Sequence, residues 1–305
     1  MQAEEIEVTE VGMNNMQIYQ QDKALIDMQI ATAKQYPRNL KKAIENAIAI
    51  VSLDAETADS CFYTLKKGKV ITGPSVHLAR ILAQQMGNMR VENRVVGFDS
   101  THVTCEAVCF DLERNFAVRT QIRKSIIGSN GRYSEDMQVI TANACNAVAY
   151  RNAVFSVIDA AIVKKVMSAA KNVIAGDVST EASLLARRKK VFDGFKENYH
   201  QLNLTDEDIC KAIGKNSVAH INADDIISLI GLENSIKGGE QTPEEIFRPQ
   251  INRENPVPKD KSGERLILLI NSAKSLKELS ALEKEVKSNE ARLAYDEAFK
   301  KLNSK

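Results

Sequence analysis

Three polar side chains alternate along one predicted strand, where they could bind phosphate groups. Arg119, Gln121 and Arg123 occupy every second position within residues 117–133, AVRTQIRKSIIGSNGRY. Side chains of a strand alternate between its faces, so these three project to one side, roughly 6.6 Å apart. That spacing is close to the separation of neighbouring phosphates in an extended single nucleic-acid strand. The row is either a phosphate-binding line or an ordinary solvated face.

Other cations flank this row. Lys124 points to the opposite face of the strand, and Arg132 follows in a Gly-rich loop whose backbone could approach a ligand closely. A predicted hairpin turn adds three more cations, Lys66, Lys67 and Lys69. Guanidinium and ammonium groups bind phosphate oxygens through charge-assisted hydrogen bonds. A strand, a loop and a hairpin could therefore form one basic surface.

Arg151 lies in a predicted helix among small and apolar residues. An unpaired buried charge is costly, so this guanidinium needs an anionic partner. Two alternatives stay open: an internal carboxylate such as Asp136 or Glu135, or a phosphate that Arg151 binds in bidentate fashion from a groove. Tyr150 is part of the same candidate surface. Aromatic residues are scarce in this region, so contacts to a nucleic-acid backbone should outweigh base stacking.

The distribution of charge points to the same part of the chain. The 305 residues carry a net charge of +1. Residues 1–60 hold 5 Lys and Arg against 10 Asp and Glu, residues 61–170 hold 14 against 8, and residues 171–305 hold 22 against 22. The middle third is therefore the basic part, where an anionic partner would bind.

Several classes of protein are excluded by missing patterns. The sequence has no phosphate-binding loop of the GxxxxGK[ST] type, no apolar run as long as a membrane span, and no apolar signal segment in its acidic start. Cys105 and Cys109 would lie about 13 Å apart on a strand, too far to share one zinc ion. Five scattered cysteines indicate reduced thiols and a cytoplasmic location. We expect neither an enzyme nor a cofactor.

The elements that position the cations follow from local patterns. Residues 61–71 predict a basic hairpin, and residues 72–88 predict a helix that Thr72 caps and Gly87 ends. Three strands rich in Val, Ile and Phe follow, at 89–98, 102–112 and 116–127, typical of an antiparallel meander. A long helix dense in small residues then runs from about Asp136 to Val157.

The sequence predicts an α+β protein: a β-meander with a hairpin packed on a long helix, followed by a small helical module. Residues 1–15 form a flexible acidic tail and residues 16–175 form the α+β core. Residues 180–247 form the helical module, in which Thr205 and Asn222 cap helices. Residues 248–263 are a polar linker with prolines, and residues 264–305 form C-terminal helices.

This order of elements resembles the core of the single-strand annealing protein superfamily, which includes phage recombinases of the RecT and Redβ kind and the eukaryotic strand-annealing recombination protein. Three segments carry the resemblance: KVITGPSVHLARILAQQMGN, VTCEAVCFDLERNFAVRTQI and NAVAYRNAVFSVI. It covers roughly residues 60–170, and Arg151 falls at a basic position of the closing helix. One departure is that this helix runs into Asp159, where the phage group would have a proline; Asp159 could cap the next helix.

The resemblance implies an ATP-independent protein of phage type that binds single-stranded DNA in a basic groove and anneals complementary strands during recombination. It implies a homo-oligomer, a ring or a helical filament, with the bases facing outward for pairing. The C-terminal helices would meet a partner exonuclease or the host single-strand-binding protein. The implied DNA-binding residues are Lys66, Lys67, Lys69, Arg119, Arg123, Lys124, Arg132, Tyr150 and Arg151.

Two other functions remain open on the sequence alone. The chain could be a phage-encoded adaptor or inhibitor that keeps this fold without annealing DNA. It could also be a duplex-binding regulator whose helical module acts as a helix-turn-helix, although the helices of that module are short and carry few cations.

Overall fold

The structure is a computed structural model that describes residues 22–128 and 131–248, with helical positions at 270, 280, 292, 294–296, 298–299 and 303. The chain divides into two compact units, Met1–Arg248 and Pro249–Lys305. The fold is mixed α+β with antiparallel sheets, as predicted. In the second unit the described positions are helical, and Ile270 and Tyr295 are buried. The predicted tail 1–15 and, beyond Arg248, the predicted linker 248–263 lie outside the described residues.

Three helices precede the first strand. The described part of α1 covers residues 22–35, α2 is Leu40–Val51 and α3 is Ala55–Ser60. The bend before α2 is held by Arg38, whose guanidinium contacts Asp111 at 2.6 Å and Glu113 at 3.0 Å. This buried contact ties the first helices to the far end of the sheet.

The predicted hairpin is present, with β1 at Phe62–Lys67 and β2 at Lys69–Pro74. Gly68 forms the turn with a φ of 72°, a backbone conformation that favours glycine. The predicted start of the next helix is wrong, because Thr72 pairs with Thr64 across the hairpin and β2 continues to Pro74. Ser75 caps the helix α4, Val76–Met86, instead.

The three predicted strands form one antiparallel sheet in the order β3-β4-β5. Their bounds are Met89–Phe98 for β3, His102–Asp111 for β4 and Phe116–Ser125 for β5. The central strand β4 alternates strictly between buried and half-buried side chains. One face of the sheet therefore belongs to the core, and the other, called here the outer face, is open. A small hairpin follows, with β6 at Ile127–Gly128 and β7 at Gly131–Arg132.

The long helix α5, Glu135–Val157, begins at the cap Ser134 and covers the inner face of the sheet. Alanines on its buried side allow a close approach, and the thiol of Cys145 donates to the carbonyl of Ile122 at 3.4 Å. Its partner α6, Ala160–Asp177, follows Asp159, but Asp159 makes no capping hydrogen bond with its side chain. Asp159 instead lies 3.7 Å from Arg114.

Four helices form the module that follows: α7 at Glu181–Asn198, α8 at Asp206–Ala212, α9 at Ala223–Lys237 and α10 at Pro243–Phe247. The predicted caps Thr205 and Asn222 are confirmed, each within a capping box. The module has its own apolar cluster, which includes Phe195 and Leu229. A bilayer-spanning helix is absent from the part of the chain that the structure describes.

The helical module packs directly on the basic hairpin through α9. The Asn234 amide donates to the carbonyls of Asp59 and Phe62, both at 2.9 Å, and Ser235 accepts from the Thr64 backbone N–H. At Gly231 a Cβ would overlap the Thr64 hydroxyl, so only glycine lets α9 come this close to β1. The hairpin is therefore held between the core and the module.

Candidate nucleic-acid interface

The predicted row of polar residues lies on the outer face of the sheet. Arg119, Gln121 and Arg123 are all exposed on β5, with 67% of the Arg119 side chain and 57% of the Arg123 side chain accessible. They lie opposite alternating residues of β4, with Gln121 facing Glu106 across the strands. The strand alternation that the sequence predicted is thus the one observed.

Each arginine of this row already has a carboxylate neighbour. Glu106 accepts from Arg119 at 3.4 Å and from Arg94 of β3 at the same distance. Asp99 lies 2.7 Å from Arg123. Exposed ion pairs contribute only about 0–1 kcal/mol, so a phosphate could replace either carboxylate at small cost. The row combines basic and acidic groups and is not purely cationic.

Asp99 also organises the turn between β3 and β4. Its carboxylate accepts from the backbone N–H groups of Thr101 and His102, both at 2.7 Å. The Thr101 N–H and hydroxyl, the His102 N–H and Arg123 together hold the pKa of Asp99 well below its ordinary value. Asp99 is therefore ionised across the neutral range and keeps a negative charge beside Arg123.

Two residues of the outer face were missed by the sequence reasoning. Arg90 and Arg94 of β3 alternate with Glu92, and the register places Arg94 opposite Glu106. The same every-second-residue pattern that identified Arg119 and Arg123 is visible in MRVENRVVGF and could have identified them.

The hairpin lysines have three different environments. Lys67 and Lys69 are exposed on either side of Gly68. Lys66 is half-buried, and its ammonium donates to the carbonyl of Lys211 at 3.3 Å and to that of Ile246 at 3.2 Å. Burial lowers the pKa of Lys66. Its charge thus serves the ends of two module helices as well as the surface.

Lys124 points to the inner side of β5, as the alternation predicted. Its ammonium donates to the carbonyls of Gly239 at 3.0 Å and Glu240 at 3.3 Å. Burial lowers the pKa of Lys124, and the nearby carboxylate of Glu240 opposes that effect. Lys124 therefore binds the segment that joins α9 to α10.

One cleft brings four of the predicted cations together. It measures about 660 Å³ and is enclosed by the hairpin, the end of β5, the start of α5 and residues 239–245. The four cations on its lining are Lys66, Lys67, Arg123 and Lys124. Two acidic residues, Glu240 and Glu245, also line it. The cleft is thus a mixed but cation-rich site between sheet and hairpin.

Arg151 has an internal partner. Its side chain is only 7% exposed, and its Nη1 donates to a carboxylate oxygen of Glu240 at 2.7 Å. The guanidinium also stacks over the ring of Tyr63, with its carbon 3.9 Å from the ring centre. Of the two alternatives left open by the sequence, the structure has the internal carboxylate, but the partner is neither Asp136 nor Glu135.

The two remaining predicted residues lie apart from the cleft lining. Arg132 is exposed on β7 and donates to the side chain of Gln138 at 3.3 Å. Tyr150 is half-buried on α5, where the guanidinium of Arg80 lies 5.9 Å from its ring centre. Tyr150 is therefore a packing residue beneath a cation in this structure.

The thiols and carboxylates show no arrangement for catalysis or metal binding in the region described. All five cysteines are buried and free. Burial raises the pKa of Cys61, Cys105 and Cys109 to about 12, so these thiols are protonated at neutral pH. Within the described ranges, no group of three or more His, Cys, Asp or Glu side chains could hold a metal ion.

Comparison of the chain with protein-family models, with curated proteins and with solved structures returned no match. The function must therefore be argued from the geometry of the cleft and the outer face.

Proposed function

We propose that this protein binds single-stranded DNA along its sugar–phosphate backbone and anneals complementary strands without ATP. One observation carries the proposal: Arg123 belongs both to the exposed row on the outer face and to the lining of the cleft. The cations of the hairpin and those of the sheet therefore meet at one residue, and a strand lying along Arg119 and Arg123 would lead to Lys67.

The spacing and strength of these groups suit an extended single strand. Alternate residues of β5 recur at roughly 6.6 Å, which allows one cation per phosphate. Their existing ion pairs are exposed, so phosphates can displace the carboxylates. Contacts to phosphates leave the bases turned outward, where a second strand can pair with them. Annealing follows from that presentation, and no nucleotide hydrolysis is required.

The order of elements supports the same function. A basic hairpin, a helix, three antiparallel strands and a long helix with a central arginine follow one another, as in the single-strand annealing superfamily that the sequence resembles. By that resemblance the protein forms a ring or helical filament on DNA. Residues after Arg248 then serve contacts with an exonuclease or with the host single-strand-binding protein.

A salt series with a labelled oligonucleotide tests the proposal. We expect binding to single strands by fluorescence anisotropy, a linear fall of log K with log salt, and faster pairing of complementary oligonucleotides. The double variant Arg119→Ala/Arg123→Ala should reduce the salt slope by about 2, one per lost phosphate contact. The control Lys189→Ala/Lys190→Ala removes the same charge from the exposed side of α7 and should change little.

Mass measurement with and without oligonucleotide tests the assembly. We expect a larger oligomer on DNA than in its absence. A wild-type protein that binds no single strand at low salt would refute the function, and a monomer in both states would refute the ring or filament.

A second candidate, an adaptor or inhibitor without DNA binding, is favoured by a different observation. Arg119, Arg123 and Arg151 each contact a protein carboxylate already. In that case Arg119→Ala/Arg123→Ala would leave biological activity unchanged. Tighter binding to duplex than to single strands would instead support a duplex-binding regulator.

A further inference from the structure

The segment that joins α9 to α10 covers part of the candidate DNA site. This segment, called the strap, consists of Gly239, Glu240, Gln241 and Thr242, all of which line the cleft. It extends from the end of α9 at Lys237 to the start of α10 at Pro243. Gln241 is buried, and the Glu240 side chain is only 10% exposed, so the strap is packed into the site.

The strap supplies oxygen atoms to two of the predicted phosphate-binding cations. The carbonyls of Gly239 and Glu240 accept from the ammonium of Lys124 at 3.0 and 3.3 Å. The Glu240 carboxylate accepts from Arg151 at 2.7 Å. A carboxylate and main-chain carbonyls offer these cations the same kind of acceptor as a phosphodiester.

The side chain of Gln241 attaches the strap to the hairpin. Its amide nitrogen donates to the carbonyl of Lys66 at 3.0 Å, and its oxygen accepts from the Lys66 N–H at 2.8 Å. These bonds extend the hairpin by one rung without using any charged group. They can break while every cation of the site keeps its charge.

The chain around the strap suits a local movement. Gly238 and Gly239 are adjacent, and Gly239 has a φ of +67°. Two consecutive glycines allow large backbone rotations at low cost. Beyond the strap, α10 is anchored by Phe247, whose ring packs edge-on against Phe195 at 5.6 Å. The strap can therefore lift between two fixed helices.

We propose that the strap is an autoinhibitory cover, which occupies Arg151 and Lys124 until the backbone of a single-stranded DNA displaces it. This inference rests on the proposed function. When the strap lifts, a phosphate replaces the Glu240 carboxylate beside Arg151, so the guanidinium exchanges one anion for another. The exchange avoids leaving Arg151 buried and unpaired, which would be strongly unfavourable.

Two strap variants of the full-length chain test the inference in different ways. Glu240→Gln removes the anion that holds Arg151, and Gln241→Ala removes the attachment to Lys66 without altering charge. We expect each to lower the Kd for a labelled oligonucleotide about fivefold or more, the size of a modest coupling between two sites. The control Glu233→Gln changes the charge equally at an ion pair with Lys237 on α9 and should leave the Kd unchanged.

Hydrogen exchange of the wild-type chain gives an independent readout that no variant can disturb. We expect the amides of residues 239–242 to exchange faster when the oligonucleotide is bound. If the wild type binds DNA, but both variants bind no more tightly and the strap amides stay as protected as before, the strap is only structural. If neither the wild type nor the variants bind DNA, the proposed function itself has failed.

Discussion

Arg151 and Glu240 are 89 positions apart in the sequence, yet the Arg151 Nη1 donates to a Glu240 carboxylate oxygen across 2.7 Å. Both side chains are largely removed from water, and the ring of Tyr63 covers the guanidinium. The pair joins three parts of the first unit: the long helix α5, the hairpin strand β1 and the strap after α9. It decides whether the module and the core behave as one body.

Replacing Arg151 by methionine should destabilise the protein strongly, because it leaves the Glu240 carboxylate buried without a partner. Breaking one side of a buried pair costs about 3–5 kcal/mol. The double variant Arg151→Met/Glu240→Met should recover at least about 1 kcal/mol of that loss. Urea denaturation measures both values. Strictly additive single losses would show that the two residues do not interact in solution.

Replacing Glu106 by glutamine should strengthen single-strand binding. The substitution removes the carboxylate that Arg94 and Arg119 share, and an exposed pair contributes up to about 1 kcal/mol, or roughly fivefold in Kd. Glu45→Gln on α2 removes an equal charge at an exposed ion pair far along the chain and serves as control. Equal gains in both variants would mean that only net charge matters.

Two helical glycines should respond in opposite directions to alanine. At Gly231 a Cβ would overlap Thr64 and lie 2.9 Å from the carbonyl carbon of Tyr63, so Gly231→Ala should cost about 1–3 kcal/mol through overpacking. At Gly194 of α7 a Cβ meets nothing within 4 Å, so Gly194→Ala should stabilise by about 0.5–1 kcal/mol. Thermal unfolding distinguishes them. A harmless Gly231→Ala would contradict the close packing of α9 on β1.

The five cysteines should be unreactive in the folded protein. All are buried, and burial raises the pKa of Cys61, Cys105 and Cys109 to about 12, so the reactive thiolate is scarce. A chromogenic thiol reagent should label none rapidly under native conditions and all five in guanidinium. Rapid native labelling of even one thiol would indicate that its part of the core opens.

Asp99→Asn should reduce stability in a pH-dependent way. The pKa of Asp99 is lowered in the folded chain, chiefly by the N–H and hydroxyl of Thr101 and the N–H of His102. A lowered carboxyl pKa stabilises the fold above the unfolded value of about 3.9, and this contribution is lost as the pH falls toward the folded pKa. The difference in urea midpoint between wild type and variant should therefore shrink between about pH 5 and about pH 2. A difference that is constant with pH would assign the effect to uncharged hydrogen bonding.

The features that the sequence determined by itself are those with a local cause. Side-chain alternation placed Arg119 and Arg123 on one face and Lys124 on the other, because every strand has a period of two. Thr205 and Asn222 were identifiable as caps because each bonds a backbone N–H three residues later. The hairpin, the three strands and the long helix follow from the same kind of short-range pattern.

Only the tertiary structure decided which cations are occupied and by what. The partners of Lys66, Lys124 and Arg151 come from residues 89 to 180 positions away, and no periodicity links such positions. The same cause explains the wrong helix start: Thr72 has the chemistry of a cap, but pairing with Thr64 extends the strand past it. A local pattern states what a residue can do, whereas long-range packing selects which of those interactions it makes, because burial requires every polar group to find a partner.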